Sequence, residues 1–216
     1  PKGLTAVEAA AVWMAYITAY GALIDIAKIG KGDAVIITAA SSSVGLAAIQ
    51  IANSVGAISI ATTRTSAKVS ALKAAGAAHV VVTEEQDLVT AINAITNGKG
   101  ARIVFDPVGG QGVDKLAQAT SPGGTLILYG GLSLEPTMFP VASAFMKGLS
   151  LRGYVMFEIV GDKARREAAI AFITKGLEAG TLKPVIAKTF PFDSIVEAHR
   201  YLESNAQFGK IVVTVG

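Results

Sequence analysis

The sequence contains no cysteine and only two histidines, His79 and His199, among its 216 residues. The absence of thiols excludes disulfides, thiolate metal sites and a cysteine nucleophile. The two histidines lie far apart and lack the spacing of metal ligands, so we expect each of them on the surface or at a helix end. The pattern therefore predicts no metal site built by this chain alone.

Charge is also scarce, since charged residues make up 16% of the chain against a usual value of about 25%. Hydrophobic residues make up 51%, and there are 23 glycines. This composition excludes disorder and indicates a large core with many tight turns. The net charge of +3 is too small for a nucleic-acid footprint unless it is concentrated on one face, so we expect no nucleic-acid partner.

The first five residues carry no positive region followed by an apolar one, so they do not look like a signal peptide, and we expect a cytoplasmic protein. Residues 34–63 have no formal charge, and this run exceeds the roughly 20 residues that span a bilayer. It contains serines, Gln50 and Asn53 and changes pattern twice, which favours strand, helix and strand over a membrane helix. Uncharged strands are typical of a parallel sheet that is covered on both faces.

Predicted strands and helices alternate along most of the chain. Thr5 and Glu8 form a capping box, which predicts a helix that runs towards Tyr20. The predicted strands then cover residues 34–39, 57–62, 80–82, 102–105 and 125–129, and the helices cover 44–55, 66–75, 87–96 and 112–119. Residues 121–124 predict a turn before the fifth strand. Beyond Tyr129 we predict an extended loop, a helix, a strand at 150–155, helices at 162–178 and 194–203, and a strand at 209–215.

This alternation predicts an α/β fold, a Rossmann-type doubly wound parallel sheet with helices on both faces. We predict one dinucleotide-binding domain over residues 1–216. The ligand is expected at the carboxyl ends of the strands, near the point where the strand order reverses.

The turn after the first strand carries the strongest local signal. Residues 40–45 read Ala-Ser-Ser-Ser-Val-Gly and stand where a dinucleotide fold has G-x-G-x-x-G. Only Gly45 remains of the glycines; it lets the helix pack close to the strand while the amides of the turn receive a pyrophosphate. The same turn also fits an ordinary connection in a flavodoxin-like or another α/β protein.

The end of the second strand predicts which nucleotide binds. At this distance from the turn an NAD-binding fold has an acidic residue for the ribose, whereas NADP binders use basic groups for the 2′-phosphate. Here Arg64, Lys68 and hydroxyls that include those of Thr63 and Thr65 follow the strand, without a carboxylate. These groups favour NADP(H) over NAD(H). The alternative is a solvated helix start with incidental basic residues.

Six motifs in order resemble the nucleotide-binding portion of the medium-chain dehydrogenase/reductase superfamily: AYITAYGAL, AVIITAASSSVGLAAIQIA, VFDPVGG, PGGTLILYGGLS, LSLRGY and FGKIVVTV. The chain is most similar to the NADPH:quinone oxidoreductase (zeta-crystallin-like) branch, whose members are often labelled zinc-binding dehydrogenases. The resemblance implies a cofactor domain of an NADPH-dependent oxidoreductase that transfers hydride to a quinone, enone or related carbonyl substrate. The family has an N-terminal GroES-like domain that completes the substrate cleft; we expect this chain to lack it and to be inactive alone.

The resemblance also implies which residues contact NADP(H). Thr63 takes the place of the acid found in NAD-specific relatives, and Lys68 matches a lysine that reaches the 2′-phosphate. The other implied contacts are Thr18 at the nicotinamide end, Ser42, Ser43, Val44 and Gly45 at the pyrophosphate, Asp106, Val108 and Gly109 beside the adenosine, Tyr129 and Gly130 beside the nicotinamide ribose, and Phe157, Gly209 and Lys210 as further contacts.

The resemblance implies chemistry without zinc. In zinc-containing alcohol dehydrogenases of the superfamily a cysteine ligand lies four residues before the TxYG segment, and here that position is Met14. No catalytic residue is assigned. Thr18, Tyr129 and Tyr154 are the candidates for stabilising a developing oxyanion through a hydroxyl. For the tyrosines, a core or rim aromatic with a satisfied hydroxyl is the alternative.

Two other functions remain open, namely the nucleotide-binding domain of a zinc-type alcohol dehydrogenase and a relative that binds NADPH or RNA without turnover. In the family the cofactor domains pair edge to edge, which implies a homodimer. The predicted strands 125–129 and 150–155 would lie near that edge, where an unpaired apolar strand is otherwise prone to aggregate. The expected partner is a small-molecule substrate, and no membrane association is expected.

Overall fold

The computed structural model describes residues 3–215. Its large sheet consists of β1 (Ala34–Ile37), β2 (Ile58–Thr63), β3 (His79–Val82), β4 (Ala101–Asp106), β5 (Thr120–Leu128) and β6 (Ser150–Gly153). The strand order is β3-β2-β1-β4-β5-β6, and every pair is parallel. The order reverses between β1 and β4, which confirms the predicted doubly wound sheet.

Helices cover both faces of this sheet, as predicted. They are α1 (Ala6–Tyr20), α2 (Ser43–Ser54), α3 (Val69–Ala74), α4 (Leu88–Ile95), α5 (Gly112–Ala119), α6 (Val141–Lys147), α7 (Phe157–Val160), α8 (Lys163–Glu178) and α9 (Ile195–Glu203). Successive residues of β1 enter different apolar cores, because side chains alternate between the faces of a strand. Val35 and Ile37 belong to one core, and Ile36 belongs to the other.

The first helix begins at the predicted capping box, in which the Thr5 hydroxyl accepts from the Glu8 amide and the Glu8 carboxylate accepts from the Thr5 amide. Beyond Tyr20 it continues as a π-helical segment, Gly21–Ile26. By length and composition residues 6–26 are apolar enough to cross a bilayer, yet 61% of the most apolar window is buried within the protein. The apolar composition therefore matches the position of this helix in the core.

Two predicted boundaries were wrong around β5 and β6. Residues 121–124, predicted as a turn, belong to β5, where the pairing with β4 shifts register and Gly123 has a φ of +70°. The glycines thus mark an irregularity inside the strand, because a positive φ is accessible to glycine without steric cost. The sixth strand ends at Gly153, two residues before the predicted end.

A second, two-stranded sheet was not predicted. Its strands β7 (Ile186–Pro191) and β8 (Lys210–Thr214) are parallel. This sheet is joined to the turn that follows β1 by a bridge between Ser42 and Gly209. The Gly209 amide donates to the Ser41 carbonyl at 2.9 Å, so the chain just before β8 lies against the turn.

Candidate functional site

The carboxyl ends of four neighbouring strands bring most of the predicted residues to one edge of the sheet. Ser42 follows β1, Thr63 ends β2, Asp106 ends β4 and Tyr129 follows β5. The backbone hydrogen bonds between neighbouring strands continue past the strand ends. The Thr38 amide donates to the Phe105 carbonyl, and the Tyr129 amide donates to the Asp106 carbonyl. In a doubly wound sheet this edge is where a ligand binds.

The turn between β1 and α2 has a backbone that leaves no room for a side chain at Gly45. A Cβ atom there would lie 2.7 Å from the Cα and carbonyl oxygen of Ala40. The Ser42 hydroxyl accepts from the Gly45 amide at 3.0 Å and so caps α2. Ala39 has a φ of +45°, in the left-handed region that disfavours residues with a Cβ. Serine thus holds the turn through its side chain at a point where the family pattern uses glycine.

The buried Asp106 carboxylate organises the neighbouring turn. It accepts hydrogen bonds from the Thr38 hydroxyl, from the Val108 amide at 3.1 Å and from the Gly109 amide at 2.8 Å. These bonds connect the end of β1 to the turn after β4. A Cβ atom on Gly130 would lie 2.8 Å from the Pro107 carbonyl oxygen, so the segment after β5 also packs closely on this turn.

Tyr129 presents a buried hydroxyl without a protein partner. Its ring stacks on Phe105 with 4.0 Å between the centroids. Among the buried side-chain nitrogen and oxygen atoms of residues 3–215, the Tyr129 hydroxyl and Gln207 Oε1 are the two that lack a hydrogen-bond partner. Burial, followed by the charge of Asp106, raises the pKa of Tyr129 well above its ordinary value, so the hydroxyl remains protonated. An unsatisfied buried group costs about 1–3 kcal/mol, which a polar ligand would relieve.

Lys68 lies beside the turn, and all three of its ammonium protons have acceptors. Nζ donates to the Ser41 hydroxyl at 3.2 Å and to the carbonyls of Asn205 and Gln207, both at 2.8 Å. Burial and the nearby Arg64 lower the pKa of Lys68. This lysine therefore ties the segment at 205–207 to the turn after β1.

The end of β2 carries the remaining groups predicted for the 2′-phosphate. The Thr63 hydroxyl donates to the Thr65 carbonyl at 3.2 Å. Arg64 is exposed, and the described residues offer its side chain no ion pair. A carboxylate that the sequence reasoning missed lies here as well, because Glu85 accepts from the Ser66 amide at 3.3 Å. The sequence signal for Glu85 was its place three residues after the end of β3, the strand that pairs with β2.

The other predicted hydroxyls are engaged with the backbone of α1. The Thr18 hydroxyl donates to the Met14 carbonyl at 2.6 Å, and the Tyr154 hydroxyl donates to the Ile17 carbonyl at 3.4 Å. Burial raises the pKa of Tyr154 above its usual value. Phe157 is 69% exposed at the start of α7, after the edge strand β6. The half-buried Lys210 begins β8, and burial lowers its pKa.

Comparison with known families decides the ancestry of this fold. The profile of the zinc-binding dehydrogenase family matches residues 43–175. The chain belongs to this family. Its relatives are members of the medium-chain dehydrogenase/reductase superfamily, as the sequence motifs predicted. Within residues 3–215 no group of three or more His, Asp or Glu side chains is placed to hold a metal ion.

Two relatives are longer than this chain. It is 29% identical to the human quinone oxidoreductase, with 99% of this chain and 64% of that protein aligned. It is also 29% identical to the highly reducing polyketide synthase ltbA of Aspergillus luteorubrus, with 100% of this chain and 7% of that protein aligned. The chain thus spans less than two thirds of the length of these relatives.

Solved structures agree with the architecture. An NAD-dependent alcohol dehydrogenase is 34% identical with a TM-score of 0.86, and the alignment covers 100% of this chain and 61% of that one. The CurK enoyl reductase is 27% identical with a TM-score of 0.88, covering 100% and 64%. A mycobacterial protein complexed with NADPH is 24% identical with a TM-score of 0.91, covering 99% and 66%, and shows the shared fold.

Proposed function

We propose that this chain is the NADP(H)-binding domain of an oxidoreductase that transfers hydride to a quinone, enone or related carbonyl compound without zinc. The family supplies the general oxidoreductase role. One observation carries the assignment of the site: a backbone cradle, closed to side chains at Gly45 and Gly130, lies at the strand edge that also bears the unpartnered Tyr129 hydroxyl. Buried polar atoms without partners are rare unless a ligand or water satisfies them.

Each part of a dinucleotide has residues that would hold it. The amides of the turn at 41–45 suit a pyrophosphate at the start of the twelve-residue helix α2. Arg64 supplies a free cation for the 2′-phosphate, and the turn ordered by Asp106 would face the adenosine. When bound, the cofactor supplies the hydride; the residues of this chain hold and orient it.

The test is calorimetric titration of the chain with NADPH and with NADH. We expect tighter binding of NADPH. Arg64→Ala should weaken NADPH by about five- to tenfold and leave NADH unchanged, because a single exposed ion pair contributes on the order of 1 kcal/mol. Arg200→Ala, which removes the same charge from the exposed surface of α9, is the control. Equal affinities for the two nucleotides in the unmodified chain would contradict the NADP(H) assignment.

We also propose a homodimer formed along the edge of the sheet. The segment at 131–147 leads into the edge strand β6 and exposes large apolar side chains: Leu132, Leu134, Met138, Phe139, Val141, Phe145 and Met146. Exposed patches of this kind mark interaction surfaces. Light scattering is expected to give twice the chain mass, and Phe145→Glu should give the mass of one chain; a single-chain mass for the unmodified protein would exclude the dimer.

A further inference from the structure

The surroundings of Arg64 point to a residue that determines nucleotide specificity. We propose that the Glu85 carboxylate opposes the 2′-phosphate of NADPH and so limits the preference of this chain for NADPH over NADH. The inference rests on the proposed function, because it concerns the same nucleotide site. It concerns an acid that follows β3, whereas the acid of NAD-binding folds follows the second strand.

The parallel pairing of β2 and β3 continues past both strands. The Thr83 amide donates to the Thr63 carbonyl at 2.9 Å, and the Glu84 amide donates to the Arg64 carbonyl at 3.1 Å. The chain at 83–85 therefore lies directly against the chain at 63–66. Glu85 completes the contact through its hydrogen bond to the Ser66 amide.

Residues 63–68 and 83–85 together form one corner of the molecule. The charges of this corner differ from those expected from the end of β2 alone. Lys68 has all three ammonium protons engaged with Ser41 and the 205–207 segment, which leaves Arg64 as the cation available to a ligand among the residues described at this corner. The backbone pairing brings two acidic residues, Glu84 and Glu85, to the same corner. The formal charges of the four side chains cancel, so the corner is not basic.

The two nucleotides meet this corner differently. A 2′-phosphate carries up to two negative charges, so a nearby carboxylate repels it. The Glu85 carboxylate also accepts the hydrogen bond of the Ser66 amide, which is then not available to the phosphate. The ribose hydroxyl of NADH is neutral, so the Glu85 carboxylate does not repel it. Glu85 therefore penalises NADPH and leaves NADH unaffected.

The experiment compares Glu85→Gln with Glu84→Gln by titration with NADPH and NADH. Both side chains are exposed, and the two substitutions remove the same charge one residue apart, but only Glu85 bonds to the Ser66 amide. We expect Glu85→Gln to lower the Kd for NADPH about fivefold and to leave the Kd for NADH unchanged. Glu84→Gln should change either Kd by less than about twofold. Raising the salt concentration should shrink the fivefold effect.

Three outcomes would overturn the inference. Equal effects of the two substitutions would assign the effect to diffuse charge, and an unchanged ratio of the two Kd values in Glu85→Gln would remove the role altogether. In both cases nucleotide binding by the unmodified chain would leave the proposed function standing. Failure of the unmodified chain to bind either nucleotide would instead refute the proposed function, and this inference with it.

Discussion

The core beneath the carboxyl ends of the central strands and the segment at 131–147 differ in how they place similar apolar side chains. Phe105, in β4, is 0% exposed and stacks on Tyr129, whereas Phe145, in α6, is 83% exposed. All four residues of β1 are buried, while those of the edge strand β6 are half-buried or exposed. The first region completes its packing within the chain. The second carries apolar surface that nothing within the described residues covers.

The largest expected effect tests this contrast directly. Phe105→Ala should lower the free energy of unfolding by about 3–5 kcal/mol, because it leaves a cavity in a fully packed core. Phe145→Ala should change it by less than about 0.5 kcal/mol at a chain concentration where association is absent. Urea denaturation of both variants measures the difference, and similar losses would mean that α6 is packed in solution.

Two glycines, Gly45 and Gly112, differ in the room that the structure leaves for an added side chain. Gly45→Ala should cost about 1–3 kcal/mol, since its Cβ would overlap the backbone of Ala40. Gly112, at the start of α5, has nothing within 4 Å of an added Cβ. Gly112→Ala should therefore be neutral or stabilise by up to about 1 kcal/mol. Thermal unfolding ranks the two variants; a neutral Gly45→Ala would show that the turn can widen.

The smallest expected effect is a pH dependence of the free energy of unfolding that arises from the buried Tyr16. Burial raises the pKa of Tyr16 above its ordinary value of 10.0, and its hydroxyl donates to Gln50 Oε1 at 2.8 Å. Above about pH 10 the Tyr16 hydroxyl loses its proton in the unfolded chain but keeps it in the folded chain. Stability therefore falls as pH rises, by up to about 1.4 kcal/mol per pH unit for this one group. Tyr16→Phe should flatten the slope of unfolding free energy measured between about pH 9 and 11; an unaltered slope would contradict the assignment.

Local patterns predicted the order of elements well. The capping box at Thr5 begins α1, and Gly56 and Gly76 take positive φ values just after α2 and α3. These features depend on neighbours in sequence, for which residue type and spacing are sufficient. The parallel, doubly wound sheet followed from the alternation of short buried strands with helices.

Features that depend on distant pairing were missed. The sequence of β7 contains Lys188, Thr189 and Pro191, and half of the strand is exposed, so it lacks the apolar run by which the central strands were predicted. The tie between Lys68 and Asn205 joins residues far apart in the chain. Glu85 reaches Ser66 only because β2 and β3 pair in parallel with a particular register. Propensity and local spacing carry no information about such contacts.

The bridge between Ser42 and Gly209 has a consequence for biosynthesis. During synthesis residue 209 emerges long after residue 42, because most of the described chain lies between them. The turn that would bind the pyrophosphate therefore lacks its backbone contact with Gly209 until that residue has been made. We expect this turn to become protected from proteases only once β8 has left the exit tunnel, later than the central strands, which become protected as their own neighbours emerge.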